Sequence, residues 1–358
     1  MASRLASCFP CVSTRKKEVP PSPPAYPRSR NSAAPQTFSF EEIAAATSNF
    51  SDDCRLVGLE GLYKGYLKSI NQVVAIRLQP VIDPHASADQ EIMKFLGHVL
   101  KISALRHPNL LSLVGFCAVG DHRILVHEYM PLGSLEDHLH DPSPGKSPLD
   151  WNTRMTIAAG VARGLKYLHD EGFVYPCMRS RDIFLGDGYH PKLSQYGLAE
   201  HDRLAAQLAK GWNVRFPRDI TFAETWMVGK PLPESSVYGF GVVLLEMITG
   251  RRAFNDDQDA VGDRHLVQWA QPFLANVRQF ELCRMADPEL QGRYPSFDLR
   301  KAVAYAGLCI QERPDKRARI DTVVKVLSHL ASKKKEKVLS HLANDVDRPE
   351  SSHHAAPN

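Results

Sequence analysis

The chain has 358 residues, of which 43% are apolar and 23% charged, and its formal net charge is +4. This composition is typical of a folded chain with a sizeable core, which excludes a wholly disordered protein. No run of eighteen apolar residues occurs, so the sequence predicts no membrane-spanning helix. The seven scattered cysteines and the lack of a signal peptide favour reduced thiols in a cytosolic chain over a disulfide framework.

The first 36 residues are predicted to be a disordered arm, because prolines and serines dominate them and no hydrophobic period occurs. Most of the positive charge lies here, since residues 1–38 contain six Lys or Arg side chains and a single acid. A basic arm on a nearly neutral domain fits an anionic membrane face better than a nucleic-acid groove. We therefore expect no nucleic-acid partner.

Order is predicted to begin near Phe38 with a short helix, which Ser39 caps together with Glu42 three residues later. Apolar runs then predict strands within residues 56–80 and 110–130. The first part of the domain is therefore expected to be a small sheet.

Between those strand regions, Ser87 and Gln90 form a capping box that opens a helix with one apolar face, and Pro108 is expected to stop it. After about residue 132 the pattern becomes helical. The helices predicted there cover residues 152–169, 235–250, 264–279, 297–312 and 317–332. The fold class predicted is α+β, with one helix beside a small sheet and a larger helical part after it.

Residues 333–358 form a polar tail in which the hexapeptide of residues 326–331 recurs at 338–343. The two copies are twelve residues apart, close to three helical turns, so they can share roughly one helix face. Two outcomes are open for the start of this tail: an extension of the last domain helix, or a frayed end.

Several segments at fixed spacing resemble the plant receptor-like cytoplasmic kinases, a group of eukaryotic protein kinases. They are TFSFEEIAAATSNF at 37–50, RHPNLLSLVGFC at 106–117, EYMPLGSLEDHL at 128–139, LDWNTR at 149–154, GLKYLHD at 164–170 and VYGFGVVLLEMITG at 237–250. The resemblance implies a bilobal kinase-like domain over residues 37–332. Its N-lobe would span about residues 52–130 and its C-lobe about residues 131–332.

The catalytic positions depart from that family. In its frame Cys177 stands where an aspartate accepts the substrate proton, and Gln195 stands where an aspartate holds magnesium. Arg179 replaces the loop lysine, and Asp182 replaces the metal-binding asparagine. No catalytic residue is therefore intact in the usual sense, and no metal site is predicted, although Asp182 alone is a suitable ligand for a hard cation.

The nucleotide-binding positions are degenerate as well. The glycine loop retains only Gly58 and Gly61 ahead of Tyr63, so its backbone is expected to cradle phosphates poorly. Arg77 replaces the phosphate-binding lysine, and the glutamate that should pair with it is His98.

The resemblance places Ala75, Met130 and Phe184 around the adenine position, with Phe184 replacing a leucine beneath the ring. Two alternatives are open. The cleft binds ATP or a metal weakly, or the Phe184 ring fills it. In neither case is a cofactor required.

Structural positions of the family persist. Glu224 has its expected partner in Arg317, while Ser236 replaces the aspartate that starts the long core helix. The resemblance also makes Cys8 and Cys11, beside the basic cluster of the arm, candidate palmitoylation sites. The alternative is that both are unmodified thiols.

These departures predict a pseudokinase that acts by protein binding in plant receptor-kinase signalling. Its expected partners are other protein kinases or receptor kinases and the inner leaflet of the plasma membrane. Its expected location is cytoplasmic and peripheral at that membrane. The alternative is a residual ATP-dependent serine/threonine kinase that uses Arg77 and Asp182 with an unusual metal arrangement.

Overall fold

The computed structural model describes residues 35–56, 61–79, 87–142, 145, 147–175, 178–195, 198, 232–254, 265–275 and 282–332. Several predicted features lie outside these ranges. They are the N-terminal arm with Cys8 and Cys11, Gly58, Cys177, Glu224, and the tail of residues 333–358.

The first part of the domain is built on a five-stranded sheet in the order β1-β4-β5-β3-β2. Its strands are β1 (Gln36–Thr37), β2 (Leu62–Leu67), β3 (Gln72–Leu78), β4 (Leu113–Val119) and β5 (His122–Glu128). All neighbouring strands are antiparallel except β1, which runs parallel to β4 at the edge. The predicted strands are thus confirmed, whereas the two-residue β1 was not predicted.

Helix α1 (Phe40–Ala46) follows β1 and packs on β2. It begins as predicted, because the Ser39 hydroxyl accepts the Glu42 N–H at 3.1 Å. Phe38 and Ile43 are buried in an apolar cluster with side chains of the sheet. The N-lobe sheet therefore starts at residue 36, ahead of the predicted lobe boundary near residue 52.

Helix α2 (Ala88–Ser103) has the predicted capping box between Ser87 and Gln90. Its inner face buries Phe95, Val99 and Ile102. The helix ends at Ser103, five residues before Pro108, which was expected to stop it. A tight turn follows, in which the Leu105 N–H donates to the Ile102 carbonyl.

The second part of the domain is helical, with a small hairpin beside it. Its elements are α3 (Leu135–Leu139), α4 (Trp151–Asp170), β6 (Ile183–Leu185), β7 (Pro191–Leu193), α5 (Pro233–Thr249), α6 (Leu266–Ala275), α7 (Ser296–Cys309) and α8 (residues 320–332). The predicted α+β class with a helical larger lobe is confirmed. Strands β6 and β7 and helix α3 were not predicted, because elements of three to five residues carry too little periodicity.

A buried ion pair fastens the helical part. Arg154 on α4 lies 2.7 Å from the carboxylate of Asp287, and both side chains are less than 10% exposed. The same guanidinium donates to the carbonyls of Leu149 and Met247. Gly250 ends α5 with a φ of +68°, and a Cβ there would lie 2.5 Å from the Asp287 carboxylate.

Candidate functional site

A cleft of about 490 Å³ opens beside the segment that follows β5. Its apolar lining comes from both parts of the domain: Leu56, Leu62, Ala75, Leu111, Met130, Pro131, Leu132, Pro142 and Phe184. Its polar lining includes Glu128, Ser134, Glu136, Asp137, His138, Asp141, Ser147 and Arg181. The volume and the mixture of surfaces are those of a small-molecule site.

The hairpin of β6 and β7 positions Phe184 in this cleft. Phe184 is 9% exposed and belongs to one buried apolar cluster with Leu62, Ala75, Leu111 and Met130. The phenyl ring therefore packs within this apolar cluster. It does not remove the cavity, because the cleft of about 490 Å³ remains beside it.

The outer carboxylates of the cleft are held by partners. Glu128 forms an ion pair with Lys192 at 2.7 Å. Arg252 binds Glu136 at 3.1 Å and Asp141 at 2.7 Å. A fourth carboxylate, that of Asp137, accepts the Ser134 N–H at 2.8 Å as the cap of α3.

The loop before β6 is anchored through Tyr175, whose side chain is fully buried. The Tyr175 N–H donates to the Ser236 hydroxyl at 2.8 Å, and the phenol oxygen lies 3.4 Å from the Ser194 hydroxyl. Ser236 lies in the first turns of α5, so the loop is tied to the core of the helical part. This tie fixes Tyr175, the last described residue before position 178.

A short 3₁₀ turn, Ser180–Asp182, carries the predicted loop carboxylate. Asp182 is 7% exposed, and its Oδ2 accepts the Arg179 N–H at 3.1 Å. The Asp182 carbonyl accepts the Ser194 N–H at 2.8 Å, which brings the turn next to Gln195. Arg179 therefore contributes its backbone to this arrangement.

Gln195 is turned into the protein and is 1% exposed. Its amide nitrogen donates to the Ile102 carbonyl at the end of α2, at 3.4 Å. Its amide oxygen is buried and has no hydrogen-bond partner among the residues that the structure describes. A neutral amide directed at α2 thus occupies this position.

Two basic groups, Arg77 and His98, lie near enough to His127 to affect its pKa. Arg77 lies on β3, His98 on α2 and His127 on β5, where His127 is opposite Ala75 in the sheet. His127 is fully buried, and burial first, then the charges of Arg77 and His98, lowers its pKa to about 3. His127 was missed in the sequence, although a histidine within the apolar run of β5 is a visible signal.

The remaining predicted residues lie outside the cleft lining. Gly61 has a φ of +71°, and its carbonyl accepts the Leu78 N–H at 2.9 Å. Arg317 is 7% exposed, lies over the Tyr238 ring and donates to the Glu234 carbonyl at 3.0 Å. Its predicted pairing with Glu224 falls outside the described ranges.

Comparison with known proteins decides the family. A family model described as "Protein tyrosine and serine/threonine kinase" matches residues 59–327. The chain belongs to the protein kinase family. The predicted bilobal kinase fold is confirmed by this match together with the sheet and helices described above.

Relatives of this kinase-family chain in Arabidopsis thaliana include three proteins named as kinases. Serine/threonine-protein kinase PBL27 is 48% identical over 304 residues, which cover 84% of this chain and 58% of the relative. Probable serine/threonine-protein kinase PBL7 is 47% identical, covering 90% of this chain and 85% of the relative. Serine/threonine-protein kinase PBS1 is 45% identical, covering 84% and 65% respectively. The chain therefore spans less than two thirds of PBL27 and PBS1.

Kinases hold magnesium with an aspartate and an asparagine, and here Gln195 and Asp182 occupy those positions. The exchange retains one amide and one carboxylate, but the amide is buried against α2 and the Asp182 carboxylate accepts the Arg179 N–H. This donor set does not fit a magnesium ion that bridges nucleotide phosphates.

The phosphate-binding position of the kinase family is also altered. An active kinase pairs a lysine on this strand with a glutamate on the following helix. Here the sequence has Arg77 at the lysine position and His98 at the glutamate position, and the charges of both lower the pKa of His127. Within the described ranges, no helix is both long and apolar enough to cross a membrane.

Proposed function

We propose that this chain is a pseudokinase, a member of the protein kinase family that acts by binding other proteins and not by transferring phosphate. The observation that carries the proposal is Gln195. At the position of the magnesium-binding aspartate, a neutral side chain is 1% exposed and directed at the Ile102 carbonyl. Without a charge there, a metal ion has no anchor between the loop and the nucleotide phosphates.

Other losses point the same way. Cys177 replaces the proton-accepting aspartate, and His98 replaces the glutamate of the ion pair. General-base and electrostatic terms each contribute factors of roughly 10² to 10⁴ to an enzymatic rate. Such losses are not additive, but together they leave little phosphoryl transfer. The loop itself stays anchored through Tyr175 and Ser236, so the fold is retained while the chemistry is lost.

The test is transfer of label from γ-labelled ATP by the purified full chain, with magnesium or manganese and an active kinase as positive control. We expect no incorporation into the chain or a general kinase substrate. Label that disappears in Asp182→Ala would contradict the proposal. The variant Cys177→Asp with Gln195→Asp is the matched comparison, and any gain of activity in it would show that the rest of the fold is competent.

The second candidate is a residual serine/threonine kinase. The family has an amide at position 182 and a carboxylate at position 195, whereas this chain has Asp182 and Gln195. One carboxylate and one amide are therefore still present, which favours this candidate. The relatives at 45–48% identity are also named serine/threonine-protein kinases, which supports retained activity. A metal-dependent incorporation that is lost in Arg77→Met and in Asp182→Ala would favour this candidate.

We further propose that the protein acts at the cytoplasmic face of the plasma membrane, beside active receptor-type kinases. The basic arm and the neighbouring Cys8 and Cys11 support this, because one acyl chain with a basic patch is enough for stable attachment. Cell fractionation of Cys8→Ser with Cys11→Ser tests the attachment, and unchanged membrane content would exclude acylation. Affinity purification from source tissue that recovers no protein kinase would argue against the proposed partners.

A further inference from the structure

Helix α7 exposes a large aromatic side chain between two cations. Phe297 is 52% exposed, although the next two residues, Asp298 and Leu299, are buried. The Lys301 ammonium lies 4.7 Å from the centre of the Phe297 ring, and the Arg300 guanidinium lies 5.8 Å from it. Both distances are within the range of a cation–π contact. The ring is therefore held at the protein surface by its charged neighbours.

The pattern continues along the exposed side of α7. Four side chains share this side, at steps of four, three and four residues: Phe297, Lys301, Ala304 and Leu308. Leu308 is 44% exposed. Together with Arg300 these residues form what we call the α7 face. Exposed apolar side chains on a helix with Arg and Lys beside them are typical of a surface that lies on a membrane.

The surface around the α7 face is predominantly basic. Between residues 282 and 309 four cations occur, and none of them is buried: Arg284, Arg293, Arg300 and Lys301. Of the three acids in this range only Glu289 is exposed, and the other two are buried. Such a surface is attracted to the anionic lipids of a cytoplasmic leaflet, where each Lys or Arg near the lipid strengthens binding roughly fivefold.

Helix α6 extends this surface, since it packs against α7. Phe273 on α6 is partly exposed, and the Arg284 guanidinium lies 6.0 Å from the centre of its ring. Cys283, the neighbour of Arg284, is hydrogen-bonded to Tyr294, two residues before α7 begins. A continuous set of contacts therefore joins a second pair of an aromatic ring and a cation to the start of the α7 face.

Helix α2 also exposes apolar side chains, but without an excess of cations. Met93 is 70% exposed and Leu100 is 68% exposed. Lys94 beside them is paired with Glu91 at 3.2 Å, and Asp89 is exposed in the first turn. An anionic surface therefore gains less from α2 than from the α7 face, which makes α2 a suitable comparison.

We propose that the α7 face contacts an anionic membrane surface, with the Phe297 ring inserted among the lipid headgroups. The inference rests on the proposed location at the plasma membrane, and it assigns to that location a contact on the folded domain. The basic arm within residues 1–38 favours a membrane over an acidic protein, because the arm and the α7 face then bind one and the same surface. Two weak contacts on one chain reinforce each other, since the first holds the second at a high effective concentration.

The test is flotation of the purified full chain, produced without acylation, with phosphatidylcholine vesicles that contain or lack phosphatidylserine. We expect the wild-type chain to float only with phosphatidylserine and to be released by high salt, because salt screens the attraction. Arg300→Gln with Lys301→Gln should weaken vesicle binding at least about tenfold. Phe297→Ala should weaken it at least about threefold, because less apolar surface then leaves water.

The matched controls change exposed side chains on α2. Lys94→Gln with Lys101→Gln removes the same number of charges, and Met93→Ala removes a more exposed apolar side chain. Each should change vesicle binding less than about twofold. Insertion is measured with Phe297→Trp, whose added fluorescence should be quenched by brominated lipids, whereas the fluorescence added by Met93→Trp should not be.

Four results would overturn the inference. The first is wild-type vesicle affinity in Phe297→Ala or in Arg300→Gln with Lys301→Gln. The second is an equal loss of affinity in the α2 controls. The third is fluorescence of Phe297→Trp that brominated lipids leave unchanged. The fourth is a protein partner that Phe297→Ala no longer recovers while vesicle binding is unchanged, since the α7 face would then bind an acidic protein.

Failure of this inference can be distinguished from failure of the proposed function. If Arg15→Gln with Lys16→Gln and Lys17→Gln loses vesicle binding while variants of the α7 face do not, the membrane location stands through the arm and only this inference is wrong. A wild-type chain that does not float also overturns the inference, and fractionation of Cys8→Ser with Cys11→Ser then decides the location. Neither result bears on transfer of label from γ-labelled ATP.

Discussion

At the scale of single residues, His127 is a titratable side chain that burial keeps neutral down to low pH. It lies on β5 with no exposed surface, and burial is the largest cause of its low pKa, followed by Arg77 and His98. The folded-state pKa of about 3 lies below the unfolded value of about 6.5. The stability that this neutral ring contributes is therefore fully present above pH 6.5 and is lost progressively as the pH falls towards 3.

We predict that His127→Gln reduces the pH dependence of stability. Between pH 6.5 and 4 the wild-type protein should lose up to about 1.4 kcal/mol of unfolding free energy per pH unit through this group, and the variant should not. Urea unfolding at pH 7, 6, 5 and 4 measures the difference. His329→Gln, an exposed position on α8, is the control and should follow the wild type. Parallel curves for wild type and His127→Gln would contradict the assignment.

The sequence predicted the altered chemical groups at the site but not where they point. Its spacing located Gln195, Asp182 and Arg77, and the structure places Asp182 beside Gln195. It could not predict that the Gln195 amide faces Ile102, because that contact joins residues 93 positions apart. The proximity of Arg77 to His127 was missed for the same reason, since it depends on the pairing of β3 with β5.

At the scale of elements, the N-terminal strand depends on one glycine. A Cβ at Gly115 would lie 2.3 Å from the Gln36 carbonyl oxygen and 2.5 Å from the Phe38 ring. The neighbouring register shift between β4 and β5 also lies at this glycine. Position 115 therefore accepts no side chain unless β1 and Phe38 move.

We predict that Gly115→Ala displaces β1 and costs about 1–3 kcal/mol, as overpacking generally does. The amide of Phe38, bonded to the Phe116 carbonyl at 2.9 Å, should lose hydrogen-exchange protection. Gly97→Ala on α2 is the matched control. A Cβ there meets nothing within 4 Å, so the helix should be unchanged or stabilised by about 0.5–1 kcal/mol. Equal protection of Phe38 in Gly115→Ala and wild type would contradict this account.

Elements with a clear period were predictable, and short ones were not. Helices α4, α5 and α7 lie within two or three residues of their predicted bounds, because each has many turns of consistent apolar pattern. Strands β1, β6 and β7 have two or three residues each and exist only through partners distant in sequence. Phe184 lies on one of these strands, so its place in the cleft followed from the family resemblance and not from periodicity.

At the scale of the whole molecule, the helical part is held by a pair that the sequence did not reveal. Arg154 and Asp287 are 133 positions apart, and both are buried. The sequence-based prediction of a structural pair fell instead on Glu224 and Arg317, of which only Arg317 is described. Its contacts with backbone carbonyls and Tyr238 show that this arginine is embedded in the core.

We predict that Asp287→Ala destabilises the protein by about 3–5 kcal/mol, because the Arg154 charge is left buried without its carboxylate. Asp321→Ala is the control, since the pair that Asp321 forms with Lys166 is exposed and should be worth less than about 1 kcal/mol. Chemical denaturation of both variants measures the difference. Equal unfolding free energies for the two variants would show that the buried pair does not stabilise the fold.

The central claim is that this kinase fold has no magnesium position in its cleft. The most direct measurement is a crystal structure of the full chain grown with ATP and a high concentration of magnesium. We expect no ordered divalent ion between Asp182 and position 195, with the Gln195 amide still directed at the Ile102 carbonyl. Two ordered magnesium ions bound to Asp182, Gln195 and the nucleotide phosphates would contradict the account.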